Sequence, residues 1–321
     1  MLEISVVIPV YNRRDVVADA VRSALAQTLP PLEVLVVDDG STDGSADVAA
    51  GFGEPIRVLR TPNRGPSAAR NTGIRESKGE AVAFLDSDDV WRPYCLRRLA
   101  EAMLAENADM AFGDAEIEVC GKTASGSLLR QRKVSDVLSP GPSRVPDCFG
   151  MLLVENFICS SAVVARRQAL ISAGLFDESL RSVEDRDLWL RMARDGVVVC
   201  VPEVLATVRR DGGGLSEDQA LASASRIAVL NRYVGDRGLP APLKRRAFAA
   251  LCEHHSDLAY HLLRRGDFGG AAAHYARAFA LSRRGRWLVR AAAAGLACAV
   301  AAPLRRWSSV GSPVPKAFEG R

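Results

Sequence analysis

Cysteine is scattered and unpatterned in this chain. Seven residues (Cys95, Cys120, Cys148, Cys159, Cys200, Cys252 and Cys298) are odd in number and never stand in Cys-x-x-Cys spacing. This argues against a disulfide framework or a cysteine-ligated zinc site and for a reducing compartment. Residues 1 to 10 run straight into a strand pattern, with no basic segment followed by a cleavage site, so no signal peptide is expected. The apolar stretch from Ala291 to Leu304, flanked by Trp287, Trp307 and arginines, is too short for a convincing membrane span. It fits an interfacial helix or an alanine-rich packing helix. The Gly-x-Gly at Gly51 to Gly53 lacks the rest of a dinucleotide fingerprint.

A strong basic character is also missing from most of the chain. The net charge is +4, but Leu281 to Arg321 holds eight Lys/Arg against the single Glu319, a local +7. The remaining 280 residues therefore carry about −3, and nothing there points to nucleic acid. The rest of the composition is that of a globular protein: 321 residues, 48% hydrophobic and 25% charged, enough for one large domain and an appendage.

The stretch Glu80 to Trp91 organises what is present. Val82, Ala83, Phe84 and Leu85 form an apolar run suited to a buried strand. Asp86, Asp88 and Asp89 follow directly. Side chains two apart on an extended segment point the same way, so Asp86 and Asp88 can share a target. Crowded carboxylates repel unless a positive group lies between them, and hard divalent cations take such oxygen ligands. In open α/β sheets, ligands sit outside the carboxyl ends of the strands. The same acidic turn would also serve to cap a helix beginning near Arg92.

Around that stretch, strands and helices alternate. Ile4 to Val10 reads as a buried strand, Asp15 to Gln27 as a helix stopped by Pro30-Pro31, and Leu32 to Val37 as a second strand. The turn from Asp38 to Ser45 opens a helix at about Ala46, capped by Ser41 or Thr42. Ile56 to Arg60 is a strand and Ser67 to Ser77 a helix. Short βα connections of this kind predict a parallel, doubly wound sheet with helices on both faces.

Further on, Arg92 to Asn107 is helical, and Met110 to Val119 alternates like an exposed strand reaching a turn at Gly121. Gln131 to Pro146 is a proline-bearing loop, Phe149 to Asn156 a short helix, and Ile158 to Ala165 a strand. Gln168 to Ala173 is helical, and so is the segment from Glu184 to Arg191, with Leu188, Trp189 and Met192 facing inward. Val197 to Val201 is a strand, and Arg209 to Ser216 a glycine-rich loop. The remainder is helical. Phe248, Leu251, Cys252, Leu258, Ala259 and Leu262 face one way, and Ala271, Ala272, Tyr275 and Phe279 form a second helix, together like one tetratricopeptide-type hairpin.

Three more groups carry chemistry. Asp38-Asp39 ends the second strand, where one carboxylate can accept from a ribose or a base edge. In Asn63 to Gly73, Arg70 emerges early in a helix of small residues, placed to reach a base or phosphate or to form a surface ion pair. Glu184-Asp185 sits on the first turn of a helix, where the dipole alone would favour acidic residues.

Taken together, Val6 to Asn12, Asp38 to Asp43, Asn63 to Gly73, Phe84 to Asp89, Gly174 to Glu178 and Glu184 to Arg191 resemble the family-2 glycosyltransferases, inverting enzymes of the GT-A fold. The likeness covers residues 1 to about 216. It implies a Rossmann-like, mostly parallel sheet for 1–216 and an α-helical extension over 217–321. Tyr11 and the backbone near Pro9 would line the nucleotide pocket, Asp39 and Arg70 hold the base, and Asp86 meet the ribose. Asp88, with Asp89, would hold Mn²⁺ or Mg²⁺ on the diphosphate. Asp185 would deprotonate the acceptor hydroxyl. Where many members carry a histidine after an arginine pair, Arg209-Arg210 is followed here by Asp211. Either Asp211 replaces that ligand or the arginines hold the diphosphate.

The resemblance implies a nucleotide-diphosphate sugar donor, a UDP-sugar first among them, and a saccharide or lipid-linked acceptor. The expected setting is cytoplasmic synthesis of cell-surface polysaccharide or glycoconjugate, with peripheral membrane contact through the basic tail. A nucleotidyltransferase would need a glycine- and arginine-rich phosphate loop where Tyr11-Asn12-Arg13-Arg14-Asp15 stands. A non-catalytic scaffold on the same fold is the other alternative, and keeping both Asp88 and Asp185 argues against it.

Overall fold

The computed structural model describes residues 2–210, 218–282 and 289–295. The chain divides into two compact units, Met1–Glu217 and Asp218–Arg321.

The first unit opens with β1 (Ile4–Val10), α1 (Val17–Leu25), β2 (Glu33–Asp38), α2 (Ser45–Ala50), β3 (Ile56–Arg60), α3 (Pro66–Glu76) and β4 (Ala81–Phe84). It continues through β5 (Val90–Trp91), α4 (Cys95–Ala105), β6 (Met110–Val119), β7 (Lys122–Ser125), α5 (Leu128–Gln131), β8 (Ser143–Arg144) and α6 (Cys148–Leu152). The last elements are β9 (Val163–Arg166), α7 (Arg167–Ser172), α8 (Glu184–Asp195) and β10 (Val198–Arg209). The strands form one sheet in the order β3-β2-β1-β4-β9-β6-β10-β5, with β7 on β6 and β8 on β10.

The first four strands are parallel neighbours, as their βα spacing predicts. Beyond β4 the sheet becomes mixed. β9 enters antiparallel between β4 and β6, and β10 returns parallel to β6. Met110 to Val119, read from its alternation as exposed, is instead internal: its first six residues are buried. Both neighbours and both faces of the strand are covered, and that is a long-range arrangement that local alternation does not reveal.

Alternation along β1 explains how the layers attach. Ile4, Val6, Ile8 and Val10 join one buried cluster with Val17, Ala20, Val21 and Ala24 of α1. Val7 points to the other face, where α3 packs so closely that a Cβ on Gly73 would lie 2.8 Å from Val7 Cγ2. On β4 the same rule sends Phe84 to the α3 side. There its ring meets Phe176 at 5.5 Å and Trp189 of α8 at 6.1 Å. Burial of such rings is worth roughly 1.5–3 kcal/mol each. This aromatic group seats α8 against the sheet.

Two expected caps are absent. Neither Ser41 nor Thr42 caps α2; its N-cap is Gly44 in the left-handed region. No side chain caps α4, which begins at Cys95, so the acidic turn after β4 does not serve that purpose.

In the second unit, α9 (Gln219–Val234), α10 (Ala241–Arg264) and α11 (Phe268–Ser282) follow one another. Asp218 caps α9 by accepting from Leu221 N at 3.0 Å. α10 and α11 share a cluster of Cys252, Ala259, Ala271, Tyr275 and Ala278. α9 also packs on α10, so the expected hairpin is part of a three-helix arrangement. Among the described residues, no helix is long and apolar enough to cross a membrane. Asp211 and most of the apolar, basic tail lie outside the described residues.

Candidate active site

The loops leaving β1, β2 and β4 gather at the carboxyl edge of the parallel strands. The first two are laced together. Asn12, at φ 50°, lies in the left-handed region that asparagine tolerates. Its N–H donates to Ser41 Oγ at 3.0 Å, and its Oδ1 accepts from Thr42 N at 2.9 Å. Arg13 N donates to Ser45 Oγ at 2.8 Å and Arg14 N to Asp43 Oδ2 at 2.9 Å. These bonds satisfy backbone groups that no strand or helix reaches. Tyr11 stands on this edge with 48% of its surface exposed, while Pro9 is buried within β1, opposite Val37.

Asp39 is almost fully buried, and its two oxygens accept from Arg64 N at 2.9 Å and Gly65 N at 2.7 Å. Burial raises its carboxyl above the ordinary aspartate range, against the pull of those two bonds. The residue fixes the loop that starts α3.

Arg70 differs from its expected place against a base. Its guanidinium is buried, donating from Nη2 to Asp86 Oδ1 at 2.6 Å and from Nη1 to Glu184 Oε1 at 2.9 Å. It also lies 5.5 Å from the centre of the Phe176 ring. Burial alone would depress its pKa, but the two carboxylates outweigh that and hold it firmly charged. One arginine thus joins the end of β4 to the start of α8.

The three aspartates after β4 face different ways. Asp86 N donates to Ser161 Oγ at 3.1 Å while its side chain meets Arg70. Asp88 is partly exposed, 3.5 Å from Arg13 Nε. Its carboxyl is raised first by burial and then by the charge of Asp86, with Arg13 opposing. Asp89 turns inward and is 4% exposed. It accepts from Ser161 Oγ at 2.5 Å and from Arg209 N at 3.0 Å. Burial, followed by its acidic neighbours, lifts its carboxyl well above the usual range. The sequence reading grouped Asp89 with Asp88 as a metal ligand. The structure separates them, because two hydrogen bonds anchor Asp89 to the segment just before β9 and to β10. Among the described residues, no cluster of three or more His, Cys, Asp and Glu side chains is placed to hold a metal ion.

The first turn of α8 sorts its acidic residues with equal clarity. Glu184 faces Arg70. Asp187 is buried and accepts from Arg191 Nη2 at 2.7 Å and Nε at 3.0 Å. Asp185 points elsewhere: its Oδ2 accepts from Asn156 Nδ2 at 3.0 Å and its Oδ1 from Arg186 N at 2.6 Å. Burial, reinforced by the charge of Glu184, raises its carboxyl to about 6, while the bonds from Arg186 and Asn156 and the charge of Arg70 oppose the rise. A carboxylate with that affinity is suited to take a proton near neutral pH.

A family model described as Glycosyl transferase family 2 matches residues 5–151. An uncharacterized glycosyltransferase of Nostoc sp. is 43% identical over 251 residues, covering 73% of this chain and 75% of its own length. The chain belongs to glycosyltransferase family 2. Another relative, an uncharacterized glycosyltransferase of Rickettsia conorii, is 32% identical over 66% of this chain but is matched over only 33% of its own length. The succinoglycan biosynthesis protein ExoO of Rhizobium meliloti is 32% identical over 57% of this chain and 53% of its own.

Solved structures agree on the GT-A-like fold of family 2. Residues 1–349 of S. aureus TarS, in complex with UDP-GlcNAc, superpose with a TM-score of 0.67 at 18% identity, covering 87% of this chain and 84% of that one. The mannosyltransferase PcManGT of Pyrobaculum calidifontis, in complex with GDP-Man and Mn²⁺, gives 0.61 at 20% identity, over 96% of this chain and 83% of that one.

Two residues at this site escape a reading of the sequence alone. Ser161 interrupts the apolar run before β9, and a buried hydroxyl in such a run needs a partner, which is a usable signal. Asn156 lies in an ordinary loop 29 residues before Asp185, and nothing in its neighbourhood marks it.

Proposed function

We propose that residues 1–217 transfer a sugar from a nucleotide-diphosphate sugar, with UDP-sugars the preferred class, to an acceptor hydroxyl with inversion of configuration. The observation that carries this reading is the bridge through Arg70, which brings the acidic end of β4 and the acidic start of α8 onto the two terminal nitrogens of one guanidinium. Displacement at an anomeric carbon needs charge stabilisation on the leaving side and a base on the attacking side. Asp88 and Asp185 are assigned to those two ends.

The residues fit a divalent cation. Asp88 offers a partly exposed carboxylate whose crowding by Asp86 a cation would relieve. One or two protein carboxylates completed by substrate phosphates form a common arrangement for such ions. Mn²⁺ or Mg²⁺ held there would supply positive charge to the departing diphosphate. Asp89 would act indirectly, by fixing the loop that presents Asp88. Arg70 is reassigned from base contact to holding Asp86 and Glu184. Tyr11 and the β1 backbone near Pro9 would line the nucleotide pocket, and Asp39 would shape its floor and reach the base. Asp185 would accept the proton of the acceptor hydroxyl.

A role in cell-surface polysaccharide or glycoconjugate synthesis, at the cytoplasmic face of a membrane, is supported by the likeness to ExoO and by the +7 charge of residues 281–321. The test is a panel of UDP- and GDP-sugars assayed for nucleoside diphosphate release with Mn²⁺ and Mg²⁺. Release from at least one donor, lost in Asp185→Asn, is the expected result. Binding of nucleotide with no release from any donor or to any acceptor would support a scaffold instead.

A further inference from the structure

Among the described residues, a single side chain from outside its own helix hydrogen-bonds to Asp185. Asn156 stands in the loop after α6, between two buried anchors: Leu153, fully buried, and Phe157, 1% exposed and packed edge-on against Phe112 at 5.6 Å. Glu155 is tied to Arg132 at 2.6 Å, and Leu152 O accepts from Arg186 Nε at 2.9 Å. The loop is therefore fastened on both sides of Asn156, and one fastening comes from the residue next to Asp185. These contacts hold the backbone at Asn156 in place, so its side chain starts from a fixed point facing Asp185.

The donor assignment in this pair is fixed by chemistry. An ionised carboxylate has only acceptors, so the atom facing Asp185 Oδ2 at 3.0 Å must be the amide nitrogen. That leaves Asn156 Oδ1 buried and with no hydrogen-bond partner among the described residues. Such an orphaned atom costs stability. It is tolerated here where the alternative orientation would set an oxygen against a carboxylate.

Resting on the assignment of Asp185 as base, we propose that Asn156 is a positioning residue for the reaction: its amide aims one oxygen of Asp185 and keeps that carboxylate ionised at neutral pH. The second oxygen is held by Arg186 N, so the two bonds together fix the plane of the carboxylate. Besides burial, the groups that act on this carboxyl are Glu184, the Arg186 backbone, Asn156 and Arg70; the nearby Cys159 thiol, raised well above its ordinary value chiefly by burial, stays neutral. Glu184 is itself engaged by Arg70. Asn156 is the neutral side-chain donor among them, so Asn156→Ala alters the proton affinity of Asp185 without altering the net charge of the neighbourhood.

The direct test needs no substrate. Carbon-13 carboxyl titration of the full chain, with the Asp185 signal assigned through Asp185→Asn, reads its pKa in wild type, Asn156→Ala and Asn156→Asp. Loss of the bond should raise that pKa by about one unit in Asn156→Ala. A second carboxylate should raise it further in Asn156→Asp. The same order should appear in the acidic limb of nucleotide release from UDP-N-acetylglucosamine or whichever donor the panel identifies. There kcat should fall about tenfold at pH 5, below both values, while the donor KM stays unchanged. A merely structural role would lower activity or melting temperature and leave the pKa in place, which would overturn the proposal. If Asn156→Ala does not fold, Asn156→Ser, which keeps a donor on a shorter arm, and Asn156→Asp carry the comparison. If Asp185→Asn transfers normally, the base assignment fails and the proposal falls with it. If Asp185→Asn is inactive while neither variant moves the pKa, Asn156 alone is overturned.

Discussion

Arg70 on α3 donates to Asp86 at the end of β4 across 2.6 Å, its own guanidinium buried and the carboxylate partly exposed, where the sheet edge meets α8. Because the same guanidinium also holds Glu184, its removal leaves two carboxylates facing a space with no cation. Breaking the largely buried pair with Glu184 costs about 3–5 kcal/mol, and solvent screens the loss at the partly exposed Asp86. Arg70→Ala should therefore lose fold stability and turnover together. Arg70→Lys should recover only part of each, since one ammonium cannot reproduce the planar fork. Chemical denaturation and donor turnover, measured side by side, check both.

Asp185→Asn should keep its fold and its nucleotide affinity while losing transfer by at least about a hundredfold. Activity of the wild type should fall on an acidic limb near the raised value of about 6, because the base must be ionised. The stability effect has the opposite sense. A carboxyl whose folded pKa is raised favours folding most at low pH, and this contribution is lost as pH rises through the folded value. Asp185→Asn should accordingly be more stable than wild type at pH 7.5, by on the order of 1 kcal/mol, with the gain vanishing near pH 4. Melting curves at the two pH values measure it.

Asp88→Ala should abolish the effect of Mn²⁺ on the affinity for UDP while sparing the fold, since its side chain is partly exposed and its ion-pair partner, Arg13, is partly exposed too. Asp89→Ala should do the reverse in stability, because Ser161 Oγ and Arg209 N lose a buried acceptor, at about 1–3 kcal/mol for each donor left unpaired. Calorimetry with and without metal, together with denaturation, separates the two. Unchanged metal-dependent binding in Asp88→Ala would remove that residue from the site.

Gly73→Ala should destabilise the protein by about 1–3 kcal/mol, the usual range for forcing atoms into a packed core. The added methyl would press on the Val7 side chain across the α3–β1 contact. The paired change Gly73→Ala with Val7→Ala should restore part of the loss, as a thermal melt would show.

The full chain should bind anionic vesicles in a salt-sensitive way, since basic residues near such a surface contribute roughly 1 kcal/mol each. Flotation at low and high salt tests this, and no binding at low salt would end the idea.

The sequence by itself determined the parallel half of the sheet. β1, α1, β2, β3, α3 and β4 are written as apolar runs and helical spacings joined by short loops, and each is decided by neighbours a few residues away. The acidic turn after β4 and the acidic start of α8 were legible in the same way. Tertiary structure alone decided what those groups face. Asp88 and Asp89 are adjacent in sequence, yet one meets solvent and the other is anchored inward by Ser161 and Arg209, 72 and 120 residues away. Arg70 looked free to reach a ligand until Asp86 and Glu184, the latter 114 residues on, were seen to enclose it. Asn156 gave no sign at all. The reason is physical: strand and helix preferences are local free energies summed over short windows, whereas the direction and proton affinity of a carboxylate depend on burial and on partners brought close only when the chain folds.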